Sequence, residues 1–241
     1  MTEEELERKI EALGPWVYGF RYRGKVWGTT SRYAAQKPIE PVIGNRIKSF
    51  FELFPDARRV LELGGMEGID TFQLASREGV EVVSVEGRLE NVRKAEFLNG
   101  LYGFGNIRFV HADLESYDPR PLGDFDAVMC SGILYHLEKP WTLIQRLSQV
   151  TGRIFIWTHY WASAEGTEVV DGYRVKHVDE NYPESLLNGL SEHSRWFTLD
   201  SLTQALRDSG FVNINVLRQK PSLPGEESHK HVCDVTMAVS K

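Results

Sequence analysis

The sequence predicts an α/β fold in which a mostly parallel sheet lies between two layers of helices. Seven short apolar segments have the character of strands, and segments with helical spacing separate the first five of them. Strands that alternate with helices are typical of parallel sheets covered on both faces. The first strand, 59–63, runs directly into a glycine-rich turn, 64–68. We therefore expect a three-layer sandwich with a ligand site where the strands end.

The composition fits one such domain and excludes several classes of partner. A chain of 241 residues can bury one sizeable core, and two domains of this kind would be cramped. The net charge of −6 provides no field that attracts nucleic acid. No basic region precedes an apolar stretch at the amino terminus, and no apolar run is long enough to span a membrane, so we expect a cytoplasmic location. Cys130 and Cys233 lie in apolar strands and are expected to be buried thiols.

The chain before the first strand, 1–55, is predicted to be a cap on the domain, which then spans 56–241. A capping box at Thr2 begins a first helix, and a second helix covers about 43–54. Between them, aromatic residues alternate with charged ones over 16–33. This pattern predicts either a hairpin whose aromatic residues cover the sheet or a lid over a substrate pocket.

The glycine turn and the acids at the strand ends indicate a nucleoside site. Bare backbone at the turn can approach a ligand, and a helix predicted over 70–78 directs its N-terminal N–H groups to the same place. The turn lacks the spacing of dinucleotide sites because Met66 stands between the glycines. Glu86 ends the second strand and lies 24 positions after Glu62. This separation is close to the roughly twenty residues between such a turn and a ribose-binding acid. Asp113 ends the third strand. The alternative is a turn that only packs strand against helix.

These features resemble the class I, or Rossmann-like, S-adenosylmethionine-dependent methyltransferases, whose first motif is an acid, an apolar residue and G-x-G-x-G. Glu62, Gly64 and Gly68 match that motif, and Met66 replaces its middle glycine. The resemblance covers most of 59–160 and implies a seven-stranded Rossmann-like sheet with S-adenosyl-L-methionine as cofactor. It implies cofactor contacts from Glu62, Gly64, Gly65, Met66, Gly68, Glu86, Gly87, Asp113, Leu114, Ser131 and Gly132.

The segment after the fourth strand resembles one branch of this family. Ser-Gly-Ile-Leu-Tyr-His, 131–136, followed by Lys-Pro, looks like the branch that includes the enzyme modifying wobble uridine in transfer RNA by carboxymethyl transfer. The chain has no evident basic segment for gripping an RNA or a carboxylated cofactor. The resemblance therefore implies the fold and the cofactor class, and not that substrate.

Two histidines at the predicted sheet edge are candidates for a catalytic base. Methyl transfer from a sulfonium is an in-line displacement that needs orientation and, for a hydroxyl acceptor, a base. His136 and His159 follow the fourth and fifth strands, and imidazole titrates near neutrality. Either could instead be structural. Both could bind a metal with Glu138 or Asp171, but no helical pair of ligands is present, so we expect no metal.

The acceptor is expected to meet an insertion, 162–195, which follows the fifth strand and is too long for an ordinary connection. Candidate substrate contacts, which could equally be packing residues, are Tyr135, Tyr160, Trp161, Arg195 and Trp196. We expect a methyltransferase acting on a hydroxyl of a small molecule. The alternatives are the transfer-RNA carboxymethyl branch, an NAD(P)-dependent oxidoreductase with Glu86 as its ribose acid, and a non-catalytic cofactor-binding partner subunit, which only Met66 favours.

Overall fold

The computed structural model describes residues 1–28, 38–180, 186–221 and 231–241. In chain order its helices and strands are α1 (Glu3–Leu13), β1 (Phe20–Tyr22), β2 (Lys25–Trp27), α2 (Asn45–Leu53), β3 (Arg59–Leu63), α3 (Thr71–Ala75), β4 (Glu81–Glu86), α4 (Leu89–Tyr102), β5 (Ile107–His111), β6 (Ala127–Ser131), α5 (Pro140–Leu147), β7 (Arg153–Trp161), β8 (Glu168–Val170), β9 (Tyr173–Asp179), β10 (His193–Phe197), α6 (Leu199–Asp208), β11 (Asn213–Pro221) and β12 (Val232–Ser240).

A seven-stranded sheet forms the centre of the molecule, which confirms the predicted fold class. Its strand order is β11-β12-β7-β6-β3-β4-β5. Strands β3 to β7 are parallel to their neighbours among these five, and β12 is antiparallel to both β7 and β11. Apolar side chains fill both faces: one cluster joins the sheet to α5 and α6, and another joins it to α2 and α3. Burial on both faces explains why the central strands are almost continuously apolar in sequence.

The structure corrects several predicted boundaries. Helix α3 has only five residues, Thr71–Ala75, and does not extend over 70–78. Helix α4 continues to Tyr102, where Gly103 adopts a left-handed φ of 80° and terminates it. Strand β5 ends at His111, so Asp113 lies in the loop beyond the strand.

The segment before the sheet is joined to the glycine turn by a buried carboxylate. Glu67 accepts the backbone N–H of Val17 at 2.8 Å and that of Tyr18 at 2.7 Å. Lys94 of α4 donates to Glu67 at 2.8 Å and also to the carbonyl of Pro15. Both charged side chains are almost completely buried. The predicted hairpin is present as β1 and β2, and the remainder of the 16–33 prediction, 29–33, lies outside the described residues.

The insertion is more regular than its sequence suggested. Strands β10, β9 and β8 form a separate antiparallel sheet in that order, and 181–185 lie outside the described residues. The small sheet joins the rest of the chain where the N–H of Arg195 donates to the carbonyl of Leu137 at 2.9 Å. Helix α6 then begins after Thr198, whose side chain accepts the N–H of Ser201.

Both cysteines are free thiols. Cys130 is buried, and burial raises the pKa of its thiol to about 12, so it stays protonated. Cys233 is only partly buried. Within the described parts of the chain, we find no helix with the length and apolar character that crossing a bilayer requires.

Candidate active site

A cavity of about 480 Å³ opens where the parallel strands end. Its volume lies within the range of about 300–1,000 Å³ that is usual for small-molecule sites. Twelve of the predicted site residues line it: Glu62, Gly64, Met66, Glu86, Gly87, Asp113, Leu114, Ser131, Gly132, Tyr135, His136 and His159. The sequence therefore located the cavity correctly, although several other predicted residues lie elsewhere.

The glycine turn forms the floor of the cavity. Gly64 has a φ of 67°, and a Cβ at this position would lie 2.0 Å from the Ile133 side chain, so only glycine fits. Met66 has a φ of 48°, which is unusual for a residue with a side chain. Its N–H donates to Glu86 at 2.8 Å. Met66 therefore takes the left-handed conformation that the missing middle glycine would favour, and the shape of the turn is retained.

Gly65 and Gly68 do not line the cavity, and their role is packing. A Cβ on Gly65 would lie 2.1 Å from the Ser84 hydroxyl of the neighbouring strand. Gly68 has a φ of 97°, and a Cβ there would lie 2.4 Å from the Phe72 ring. For these two residues, the alternative of tight packing between strand and helix describes the structure. Of the four residues 64, 65, 66 and 68, only Gly64 and Met66 line the cavity.

Glu86 lies between the turn and the next helix. Besides the Met66 N–H, its carboxylate accepts the N–H of Arg88 at 2.9 Å and, more weakly, the Asn91 side chain at 3.4 Å. A carboxylate has about four acceptor positions. Three are used, so Glu86 keeps acceptor capacity toward the cavity while it fixes the turn.

Glu62 is buried beneath the turn. The Thr71 hydroxyl donates to it at 2.5 Å. Burial raises the pKa of this carboxyl to about 8, and the hydrogen bonds from Thr71 and Ser84 oppose that rise only in part. Glu62 is therefore mostly protonated at neutral pH, and it contributes a polar group rather than a full negative charge.

Two further polar groups lie on the same wall. Asp113 lines the cavity and accepts the N–H of Glu115 at 2.9 Å, which closes a tight turn after β5. The Ser131 hydroxyl, at the end of β6, is buried without a hydrogen-bond partner in the part of the chain that the structure describes. A buried hydroxyl without a partner is costly, and a ligand in the cavity can supply one.

His136 has a carboxylate partner that the sequence did not reveal. Its Nδ1 lies 3.1 Å from Glu180 in the insertion, and the N–H of Gly189 donates to the same carboxylate at 2.8 Å. Burial opposes ionisation of Glu180, but the hydrogen bonds with His136 and Gly189 outweigh it and hold the Glu180 pKa below its usual value. The partner at Nδ1 fixes the ring, and the other nitrogen, Nε2, has no hydrogen bond within the described residues.

His159 lies in an aromatic cluster beside His136. Its ring stacks on Trp196 with centroids 5.4 Å apart and meets the edge of Tyr135 at 4.4 Å. Burial lowers the pKa of His159, so the imidazole is neutral near pH 7. Burial also raises the pKa of Tyr135, which keeps the phenol protonated. His136 and His159 thus meet at one end of the cavity, as the sequence predicted.

The other predicted substrate contacts lie outside the cavity lining. Tyr160 is buried on the opposite side of β7, where its hydroxyl accepts from Gln219 at 2.5 Å. Trp161 donates to the carbonyl of Glu165 at 2.9 Å. Arg195 donates to the carbonyl of Glu138 at 3.0 Å. Trp196 supports His159 from behind. Alternation of side chains along β7 explains the position of Tyr160, because Tyr160 and His159 must face opposite sides of the sheet.

Several lining residues were not predicted. Tyr18, Arg46 and Asp70 come from the N-terminal segment and the end of the turn, and Trp157 precedes His159 by one strand repeat. Part of the insertion, 186–191, also lines the cavity. Only Trp157 had a usable signal, since residues two apart on a strand share a face.

The insertion is held against the cavity by contacts with the cofactor-side loops. A Cβ on Gly87 would lie only 2.5 Å from the Leu190 side chain, so the insertion packs directly against this glycine. Arg88 also donates to the carbonyl of Asn188 at 3.1 Å. Among the described residues, no group of three or more side chains could hold a metal ion. Glu138 instead lies 3.5 Å from His193, and Asp171 lies in the turn after β8.

Comparison with known proteins gave one family and a set of related structures. A family profile described as "Methyltransferase domain" matches residues 34–216. The N-terminal domain of EvdMO1, solved with SAH (S-adenosylhomocysteine) bound, is 40% identical, with a TM-score of 0.89, and the match covers 100% of this chain and 97% of that one. The same domain in the presence of SAH and D-fucose is 40% identical, with a TM-score of 0.87 over the same shares of both chains.

The full EvdMO1 chain is 36% identical, with a TM-score of 0.75, and the match covers 100% of this chain. This chain spans 48% of that longer protein. A search of curated protein sequences gave no significant match.

Proposed function

Since this chain belongs to the methyltransferase-domain family and uses S-adenosylmethionine as its cofactor, we propose that it transfers the methyl group to a hydroxyl oxygen of a small molecule. The single observation that carries the choice of oxygen is the His136–Glu180 pair at the cavity, with 3.1 Å between Nδ1 and the carboxylate. A hydroxyl is a poor nucleophile until a base removes its proton, and this pair has the arrangement of such a base.

The cavity residues fit the cofactor. Glu86 retains acceptor capacity for ribose hydroxyls, and Asp113 faces the cavity from the next loop, where the adenine would lie. The Ser131 hydroxyl lacks a partner among the described residues, and Gly64 leaves the floor open. When bound, the cofactor supplies a methyl group on a positively charged sulfur. The residues of this chain hold it, orient the acceptor and accept a proton.

The proposed step is a direct displacement. The bound cofactor would supply a methyl group to the acceptor oxygen in an in-line displacement, which requires that the acceptor be oriented and its proton removed. The hydroxyl proton moves to Nε2 of His136. Glu180, hydrogen-bonded at Nδ1, stabilises the imidazolium that forms. Neutral His159 and Tyr135 form an aromatic wall that excludes water and does not take the proton.

The expected acceptor is a sugar or a sugar-like molecule. Trp157, Tyr135 and His159 offer ring faces and edges to the apolar C–H surface of such a ring. The N-terminal domain of EvdMO1, which is 40% identical, was crystallised in the presence of D-fucose, and a sugar of this kind is therefore the first acceptor to test. The transfer-RNA alternative has no comparable support.

The first experiment is a product assay. Purified protein with S-adenosylmethionine is offered D-fucose, related sugars, and amines and thiols of similar size, and both S-adenosylhomocysteine and the methylated product are measured. We expect turnover with at least one hydroxyl compound and an O-methyl ether in the product. Methylation of the amines or thiols alone would contradict the proposal.

The second experiment separates the two histidines. We expect His136→Gln to lower kcat by about a hundredfold or more while the affinity for S-adenosylhomocysteine stays the same, because the base acts on the acceptor. His159→Gln is the matched control and should cost less. Glu180→Gln should lower kcat and change the pH profile without changing cofactor affinity. If both histidine variants keep wild-type turnover from about pH 6 to about pH 9, base catalysis by either is excluded.

A further inference from the structure

A buried cation joins the loop after β4 to the insertion, and the reaction described so far does not use it. Arg88 follows β4, and its side chain is only 9% exposed. Its Nη2 donates to the carbonyl of Asn188 at 3.1 Å and, more weakly, to that of Gly189 at 3.4 Å. Its ion pair with Glu90 is long, at 3.9 Å, and Glu90 is 53% exposed, so this pair contributes little. The contacts with the insertion are therefore the stronger ones.

The contact at Asn188 falls on a peptide group that also supports the proposed base. The Asn188 carbonyl and the Gly189 N–H belong to the same peptide group, and that N–H donates to Glu180 at 2.8 Å. The Glu180 carboxylate in turn lies 3.1 Å from Nδ1 of His136, and its side chain is only 6% exposed. A donor at the oxygen of a peptide group polarises its N–H, so these hydrogen bonds strengthen one another. One peptide group thus links Arg88 to the carboxylate that faces His136.

The segment 186–191 is also packed tightly between two loops of the main sheet. A Cβ on Gly189 would lie 2.6 Å from the carbonyl oxygen of His136, and a Cβ on Gly87 would lie 2.5 Å from the Leu190 side chain. The segment therefore touches the loop after β4 on one side and the loop after β6 on the other. Closely packed groups transmit displacement, so a shift at one of these contacts is felt at the other.

The small sheet of the insertion has attachments that do not involve Arg88. Strands β8, β9 and β10 pair with one another. The N–H of Arg195 in β10 donates to the carbonyl of Leu137 at 2.9 Å. Loss of the Arg88 side chain should therefore release 186–191 without detaching the small sheet.

We propose that Arg88 is a positioning residue for the methyl transfer: by holding the peptide group at 188–189, it keeps Glu180 hydrogen-bonded to His136. The inference rests on the proposed function, in which His136 is the base. The backbone N–H of Arg88 also donates to Glu86 at 2.9 Å, and Glu86 is the acid proposed for the ribose hydroxyls. Arg88 therefore connects the part of the cavity proposed for the cofactor to the part proposed for the acceptor.

Steady-state kinetics with a hydroxyl acceptor separate positioning from binding. We expect Arg88→Gln to lower kcat by about tenfold to a hundredfold, because a small displacement of the base misaligns it with the acceptor. The affinity for S-adenosylhomocysteine, measured by calorimetry, should stay within about threefold of wild type. Arg88→Lys should recover part of the lost kcat, because an ammonium group can still donate to a carbonyl. The pH profile of Arg88→Gln should change in the same way as that of Glu180→Gln.

A double variant tests whether Arg88 acts through Glu180. Arg88→Gln combined with Glu180→Gln should have the kcat of Glu180→Gln alone, because Arg88 has no carboxylate left to position. Losses of kcat that multiply in the double variant would overturn the proposal, since Arg88 would then act independently of Glu180.

A second variant disturbs the same segment from its other side. Gly189→Ala places a Cβ against the His136 carbonyl, and it should lower kcat while the affinity for S-adenosylhomocysteine stays the same. Arg93→Gln and Gly100→Ala, both at exposed positions of α4, are matched controls that should behave like the wild type. Weaker binding of S-adenosylhomocysteine by Arg88→Gln but not by Gly189→Ala would overturn the proposal in favour of a direct cofactor contact.

Hydrogen exchange gives a readout that needs no acceptor. Amides in 186–191 should exchange about tenfold or more faster in Arg88→Gln than in wild type, whereas β9 should be unchanged. Unchanged exchange in 186–191 would overturn the proposal. Failure of the proposed function has a different signature, because His136→Gln and Glu180→Gln would then keep wild-type turnover while exchange still reports whether Arg88 holds the segment.

Discussion

The two ends of the cavity are built in different ways. At the end beside the glycine turn, which we propose binds the nucleoside, Glu62 lies within β3, Glu86 ends β4 and Asp113 follows β5, and these three strands are adjacent and parallel. At the other end, which we propose binds the acceptor, His136 contacts Glu180, which lies 44 positions later in the sequence. The first end is local in sequence, and the second depends on an inserted sheet that folds back onto the main one.

Under the proposed function, this difference separates the residues that bind the cofactor from those that select the acceptor. Parallel strands bring their carboxyl ends together whatever the rest of the chain does, so acids placed there form a site by topology alone. The topology of the main sheet does not by itself form the acceptor end, because Glu180 and 186–191 belong to the insertion. A change in the insertion can therefore alter the acceptor and leave the cofactor half intact.

The largest expected effect tests whether the nucleoside end works alone. Glu86→Ala should weaken the binding of S-adenosylhomocysteine by about 1.5–3 kcal/mol, the usual contribution of hydrogen bonds to a charged group. Calorimetry measures it, and Glu81→Ala, an exposed acid at the start of the same strand, is the control. Unchanged affinity in a folded variant would mean that Glu86 serves only the Met66 turn, and the comparison between the two ends would fail.

A smaller effect concerns how burial of Glu62 makes the stability of the fold depend on pH. Because burial raises the pKa of Glu62 from 4.5 to about 8, the folded state binds more protons than the unfolded one in this interval, and its stability falls as pH rises through it. Glu62→Gln removes that decline. Its stability relative to wild type should rise from about pH 5 to about pH 8 and then level off.

Chemical denaturation at about pH 5, 7 and 9 measures this difference. Glu81→Gln provides the baseline for an exposed acid on the neighbouring strand. A constant difference between Glu62→Gln and wild type across these pH values would mean that Glu62 stays ionised in the folded protein.

The smallest effect sharpens the description of the turn. Met66→Gly removes the strain of a left-handed conformation in a residue with a side chain, which stabilises the fold by about 1–2 kcal/mol. It also raises the conformational entropy of the unfolded chain, which destabilises the fold by about 0.4–1 kcal/mol. The net change in stability should be about 1 kcal/mol or less, with cofactor affinity within about threefold of wild type. A loss of affinity much beyond that would assign the Met66 side chain itself to the cofactor.

The residues that line the cavity beside the glycine turn could be predicted from the sequence because their signals are local. An apolar strand, a glycine turn and an acid at the next strand end lie within 59–86, and periodicity suffices to align them. Met66 was the one departure, and its backbone conformation removes the discrepancy. The acceptor end was predicted only as far as the two histidines.

The remaining residues of the site are brought together by tertiary contacts, which the spacing of residues in the sequence does not predict. Arg46 reaches Asp70 from a helix that precedes the sheet, and Glu180 reaches His136 from an insertion that looked irregular. Tyr160 does not line the cavity because it faces the side of β7 opposite to His159. Trp161 and Arg195 do not line it either: Trp161 donates to the carbonyl of Glu165, and Arg195 donates to that of Glu138.

The carboxylate of Glu67 has a consequence for how this protein can change over time. It holds the N–H groups of Val17 and Tyr18 and the ammonium group of Lys94, all away from water. Removing one partner of a buried ion pair costs about 3–5 kcal/mol, whereas replacing both by apolar groups can be neutral. Positions 67 and 94 should therefore vary together among related chains, and a recombinant that joins the N-terminal segment of one relative to the turn of another should fold only when both come from compatible parents.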